Sequence, residues 1–189
     1  MLPAELIVKV GLGIAFAACL FFFARALGTP WQCALLVALL LGHTTNWLLN
    51  GHFFSLMRFV RPHYVEHRQF LAFPAEMRDR LAGKKSISAV ALFGSLSRNE
   101  YTGYSDLDVR VVTKEGMLNH IGTSLLIVRE RCLAFFQRFP IDIFMVSKTK
   151  GLEKLRADES PIILLDNEKF LKTRFSRTIR FEDLLASGS

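Results

Sequence analysis

Cysteine is scarce in this chain of 189 residues. Only Cys19, Cys33 and Cys132 occur, at spacings that match no metal-ligand set. An odd number so placed excludes a disulfide framework and a structural zinc site, and leaves reduced, cytosol-facing thiols. The five histidines, His43, His52, His63, His67 and His120, form no ligand set either, and His120 reads as the decoration of a helix. Internal repeats and low-complexity stretches are absent. Acidic residues are in deficit, 17 against 24 basic, which leaves a formal charge of +7. Such a balance suits nucleic acid, an anionic membrane surface or phosphorylated substrates. No nucleic-acid recognition motif accompanies the charge, so nucleic acid is the weakest of the three.

Apolar side chains, by contrast, are abundant, at 51% of the chain beside 22% charged. The excess is concentrated at the front. Residues 10–24 carry no polar side chain except the Cys19 thiol, and a second apolar run, Trp31 to Gly42, follows a break at Gly28-Thr29-Pro30. A spanning helix needs about 20 mostly apolar residues. Leu6 to Leu27 suffices if Lys9 and Arg25 reach the two interfaces. Pro30 to Asn50 is also long enough, although His43, Thr44, Thr45, Asn46 and Asn50 fill its second half. The charged residues ahead of the first run, Glu5 and Lys9, make a poor leader for a cleaved signal. Two helices joined by so short a turn must run antiparallel, so residues 1–57 are expected to form a spanning or re-entrant membrane hairpin. Arg58, Arg61 and Arg68 place the following domain on the cytoplasmic side. A soluble hairpin buried against the rest of the chain is the competing reading, but little surface remains to cover it. His43, Asn46 and Asn50 share one helical face. They could bond across the hairpin, bond to a second protomer, or line a lipid headgroup site.

Residues 58–168 read as a mixed α/β domain, that is, an α+β fold with a mixed sheet. Arg61 to Leu81 looks helical, with Pro74 as a break or a start. Strands are expected at Ser86–Phe93, Leu107–Val112, Ile141–Val146 and Ile162–Leu165, an amphipathic helix at Gly122–Phe136, and a short helix at Leu152–Ala157.

The chemistry is concentrated in residues 92–109, Leu-Phe-Gly-Ser-Leu-Ser-Arg-Asn-Glu-Tyr-Thr-Gly-Tyr-Ser-Asp-Leu-Asp-Val. An apolar strand ends at Gly94-Ser95, where a missing side chain lets backbone amides approach a phosphate. Ser95 adds a hydroxyl donor, and Arg98 adds a cationic fork suited to phosphate oxygens. Asp106 and Asp108 stand one residue apart, and on a strand such side chains share a face. Two adjacent anions repel unless a cation lies between them, and oxygen-only ligands suit Mg²⁺. Asp142 lies among alternating apolar residues in Pro140-Ile141-Asp142-Ile143-Phe144, where a carboxylate needs a reason. Should its strand lie beside that of Asp106 and Asp108, three carboxylates meet the requirement of a two-metal phosphoryl displacement. Asn99, Tyr101 and Tyr104 read as loop residues.

Gly-Ser, a spacer, Asp-x-Asp between apolar residues and a later strand aspartate resemble the DNA polymerase beta-like nucleotidyltransferase superfamily. The stretch from Phe93-Gly94-Ser95-x-x-Arg98 to Tyr104-Ser105-Asp106-Leu107-Asp108, with the ending Pro161 to Asp166, is similar to its minimal nucleotidyltransferase branch. The likeness covers roughly residues 66–166; the apolar hairpin is no part of it. It implies a nucleotidyltransferase fold in which Asp106 and Asp108 bind two Mg²⁺ ions, with Mn²⁺ an alternative. Asp142 would complete the acceptor-side metal site and assist deprotonation. Gly94, Ser95, Arg98 and Ser105 would hold the phosphates of an NTP such as ATP.

Residues 169–189 carry Lys169, Lys172, Arg174, Arg177 and Arg180 among Phe170, Leu171, Phe175, Ile179 and Phe181. This tail is expected either to lie on anionic lipid or to pack on the domain. Together these features predict a membrane-anchored, Mg²⁺-dependent nucleotidyltransferase acting on a lipid-linked or small-molecule acceptor. Dimerisation through the hairpin is expected as well. The alternative is a toxin–antitoxin-type or regulatory nucleotidyltransferase that modifies or binds a helical partner protein.

Overall fold

The structure is a computed structural model and describes residues 3–48, 64–148, 152 and 159–187. Asn50, His52, Arg58, Arg61, His63 and the helix expected after Leu152 lie outside the described residues. Helices α1 (Pro3–Ala26) and α2 (Trp31–Trp47) come first. Next are α3 (His67–Leu81), β1 (Ile87–Phe93), β2 (Leu107–Thr113), α4 (Met117–Phe136), β3 (Ile141–Val146) and β4 (Ile162–Asp166). The chain closes with α5 (Phe170–Arg174), β5 (Ile179–Arg180) and α6 (Phe181–Ser187).

The five strands form one mixed sheet in the order β3-β2-β1-β4-β5. β1 is antiparallel to both β2 and β4, while β2–β3 and β4–β5 are parallel. All seven residues of β1 are buried, because it is central and has apolar groups on both faces. Val90 and Leu92 join the larger core with Phe70, Met77 and Leu81 of α3 and Ile127 and Ala134 of α4. Ala89, Ala91 and Phe93 face a smaller cluster with Val112, Val146 and Leu171. One sheet face is therefore covered by long helices, and the opposite face is only partly covered.

Three expectations need correction. Pro74 lies inside α3, marking neither its start nor a break. One missing N–H costs less than the burial gained by Phe70, Leu71, Phe73, Met77 and Leu81 along the same helix. Helix α4 starts at Met117, so Gly122 lies inside it, where a Cβ would make only ordinary contact with the Ser86 side chain at 3.5 Å. The tail does not offer its apolar residues to lipid. Leu171 and Phe181 are fully buried in the two clusters, Phe170, Phe175 and Ile179 pack against them, and β5 extends the sheet.

Glu130 of α4 is completely buried and accepts hydrogen bonds from Arg80 Nε at 3.0 Å and Nη2 at 2.8 Å. Glu130→Ala removes the buried partner and leaves the guanidinium with Glu76 alone, 3.1 Å from Nη1. We expect a loss of about 3 kcal/mol in a denaturant titration, and a smaller one for Glu130→Gln.

Gly28, with φ +82°, turns the chain at the end of α1, and Arg25 Nη1 donates to Thr29 O at 2.7 Å. α1 and α2 then pack as a pair through small residues. Ala34, Ala38 and Gly42 are the buried residues of α2, and a Cβ on Gly42 would lie 3.0 Å from Ala17. Such stripes are typical of helices packed in lipid. Large apolar side chains cover the outside of the pair, among them Ile14, Phe22, Leu36 and Leu40, each at least 60% exposed. Burial against the remaining domain, the competing sequence reading, is therefore not what the fold adopts. α1 is long and apolar enough to cross a membrane by length and composition. Of the polar set on α2, His43 is exposed, whereas Asn46 turns inward beside Gly13.

The start of α1 also packs on α4, and its buried residues are Ala4, Glu5 and Val8. Lys9 pairs with Glu5 at 2.9 Å. Glu5 in turn bears electrostatically on the buried Arg131 of α4.

Candidate active site

Strand β2 alternates between the two sheet faces. Leu107, Val109 and Val111 enter the larger core, so Asp108 and Arg110 point to the opposite, partly open face. β3 repeats the pattern, with Ile141, Ile143 and Met145 inward and Asp142 and Phe144 outward. The parallel register sets Asp108 opposite Asp142 and Arg110 opposite Phe144. Asp106 precedes β2 and is exposed. Two carboxylates thus stand side by side on adjacent strands, with a third one residue beyond.

Across β1, Phe93 pairs with Asp108, and Gly94 follows at φ +73°. A Cβ on Gly94 would lie 2.1 Å from Asp108 Oδ2. The carboxylate occupies the space that any other residue would fill. From Gly94 the chain makes a tight turn in which Ser97 Oγ donates to Gly94 O at 2.9 Å and Glu100 N to Ser95 O at 2.9 Å. Ser95 Oγ is buried there with no hydrogen-bond partner among the described residues. A buried orphan hydroxyl is costly unless a ligand completes it.

Burial pushes the Asp108 carboxyl up to about 6; the charges of Asp106, Asp142 and Glu159 add to this, and Arg110 opposes it. Among the described residues no three His, Cys, Asp or Glu side chains are drawn together into a ready-made metal cluster. The carboxylates instead surround a shared rim. The donor set still fits a hard divalent cation: it is all oxygen and mutually repulsive, and burial with the neighbouring charges raises the proton affinity of Asp108.

Other expected residues behave differently. Ser105 Oγ accepts a hydrogen bond from Thr102 N at 3.1 Å, which closes its own turn. Arg98 is engaged by two acids, Nε donating to Glu100 at 2.7 Å and Nη1 to Glu159 at 2.8 Å. Its Nη2 is not among the donors in these two bonds. Glu159 was not singled out from the sequence, because a partner 61 residues away leaves no local spacing to read. Tyr101 is structural, donating to Val65 O at 2.7 Å and lying 4.2 Å from the Phe70 ring. Behind β3, Arg131 Nη2 donates to Ile143 O at 2.6 Å. Its guanidinium lies between the charges of Glu5 and Asp142, and burial lowers its proton affinity against their pull.

Comparison with curated proteins finds no match, and neither does comparison with solved structures. A nucleotidyltransferase domain family matches residues 75–181, more than half of the chain, from within α3 through β5 to Phe181. The match takes in Gly94-Ser95, the three aspartates and the closing strand, the parts whose geometry suits phosphate and metal. The chain belongs to the nucleotidyltransferase domain family.

Proposed function

We propose that this protein is a membrane-anchored nucleotidyltransferase that moves an NMP group from an NTP to an acceptor held at the cytoplasmic membrane face. The observation that carries the reading is the in-register placement of Asp108 and Asp142, with Asp106 beside them and Gly94-Ser95 across the strand. Asp106 and Asp108 would hold two Mg²⁺ ions, or Mn²⁺, and Asp142 would complete the acceptor-side site. Bound there, the cations offset the phosphate charge and polarise its oxygens. Ser95 Oγ donates to a terminal phosphate oxygen of the NTP. Asp142 takes the proton of a hydroxyl acceptor, if the acceptor is a hydroxyl. The attacking oxygen bonds to the α-phosphorus, the bond from that phosphorus to the bridging oxygen breaks, and pyrophosphate leaves.

Anchoring rests on the exposed apolar helix pair and its small-residue seam. The orientation follows the basic residues after it. α1 and α2 also provide a surface for a second copy of the chain.

The test is turnover of α-labelled NTP by the full chain in lipid vesicles with membrane extract as acceptor. We expect divalent-dependent release of pyrophosphate and label in the extract fraction, both lost in Asp106→Ala and Asp142→Ala. Copurification with a stoichiometric helical protein that itself takes the label, with none reaching lipid or small molecules, would replace this acceptor with a protein partner.

A further inference from the structure

We propose that Arg110 and Phe144 form the acceptor-side floor of the site and select an acceptor bearing a phosphomonoester over a neutral hydroxyl. The inference rests on the nucleotidyltransferase reading and narrows its substrate class.

Both residues stand two positions beyond a catalytic aspartate, Arg110 after Asp108 and Phe144 after Asp142, on the same sheet face and directly opposite each other. Along a strand two residues span about 7 Å, roughly the reach between two reacting groups and their handles. The Arg110 guanidinium carbon lies 4.5 Å from the centroid of the Phe144 ring. That ring is 41% exposed, although its neighbours Ile143 and Met145 are buried. Stacking holds the guanidinium flat, so its N–H edges remain available for paired bonds to phosphate oxygens. Its hydrogen bond among the described residues is from Nη1 to Val109 O, at 3.3 Å. Among the described residues Arg110 forms no ion pair.

The surroundings sharpen the assignment. Asp106, Asp108, Asp142 and Glu159 load the rim with negative charge, and Arg98 is already held by Glu100 and Glu159. Among the described residues, Arg110 is the cation whose charge bears on Asp108. A neutral hydroxyl needs a base and gains no charge pairing from a guanidinium. A phosphomonoester is already an anionic nucleophile; it needs a cation to bring it to a carboxylate rim. Its oxygen bonds to the α-phosphorus of the NTP, the bond to the bridging oxygen breaks, and pyrophosphate departs. The product is a new diphosphate linkage, formed without an external proton acceptor.

The experiment uses the full chain in phosphatidylcholine vesicles with α-labelled NTP and three separate probes. These are phosphatidic acid at 10% of the lipid, diacylglycerol at the same level, and soluble glycerol 3-phosphate. Label should pass to a phosphate-bearing probe and not to diacylglycerol; the two phosphate arms tell a lipid acceptor from a soluble one. Arg110→Met should raise the KM for that probe roughly 10- to 100-fold, as for loss of a charge-assisted bond, while the KM for NTP moves far less. Arg110→Lys should recover part of the loss, and Phe144→Leu should lie between. Transfer to diacylglycerol alone overturns the proposal. So does NTP turnover with neither phosphate probe labelled, or a rise in the NTP KM that matches that of the probe. NTP turnover absent in every arm, or unaffected by Asp108→Asn, would instead overturn the nucleotidyltransferase reading beneath it.

Discussion

Asp108→Asn should abolish NTP turnover and, at the same time, make the protein more stable. The carboxylate sits where charge must be neutralised during transfer, and loss of such a group costs at least about 10³-fold in kcat. Its effect on stability has the opposite sign. The folded carboxyl titrates at about 6, above the ordinary value near 3.9. Between those two pH values the folded chain keeps a proton that the unfolded chain has released, so stability falls as pH rises through the window. Above it the whole penalty persists. A two-unit shift corresponds to roughly 3 kcal/mol for a dry group; with Asp108 only partly buried, about 1 kcal/mol is expected after solvent screening. The asparagine variant should therefore unfold at a higher temperature than the parent at pH 7.5 in chelator, with no difference below about pH 4. A variant that retains turnover, or is less stable at pH 7.5, would contradict the placement of Asp108 in a shared anionic rim.

Gly94→Ala should be nearly as damaging to activity, by another route. The new methyl would lie 2.1 Å from Asp108 Oδ2 and 3.0 Å from its Cγ. The carboxylate must swing away or the turn must open, and either change removes the register between the Gly94-Ser95 turn and the Asp108 carboxylate. A loss of about 10²-fold or more in kcat follows from displacing one preorganised group. The backbone adds about 1–2 kcal/mol of strain, because φ is +73°. Gly83→Ala separates these effects: φ there is +72°, and among the described residues nothing lies within 4 Å of where a Cβ would sit. It should lose similar stability and keep its turnover. Equal loss of turnover in both variants would mean that backbone strain alone governs the site.

Much of the catalytic half was legible because its signals are local. β1 to β4 alternate or run apolar within a residue or so of their observed limits. One-residue spacing placed Asp106 and Asp108 together, and a carboxylate in an apolar strand singled out Asp142. Legibility failed where contacts join distant segments. Glu159 holds Arg98 from 61 residues away, and Glu5 reaches Arg131 from a segment that composition assigns to lipid. A two-residue strand such as β5 has no periodicity to detect, so its basic flanks suggested lipid while Phe181 was in fact a core residue. Arg110 and Phe144 were invisible for a further reason. Their pairing exists only once β2 and β3 lie in parallel register.

The placement of Phe181 has a consequence for biogenesis. α1 and α2 leave the ribosome before the sheet does, and folding units form in the order of their synthesis. β4, β5 and the ring that seals the core follow β1, β2 and β3 in the chain. If α1 and α2 anchor the chain as proposed, the sheet closes on a polypeptide that has already been delivered. Activity would then arise at its membrane address and not in transit.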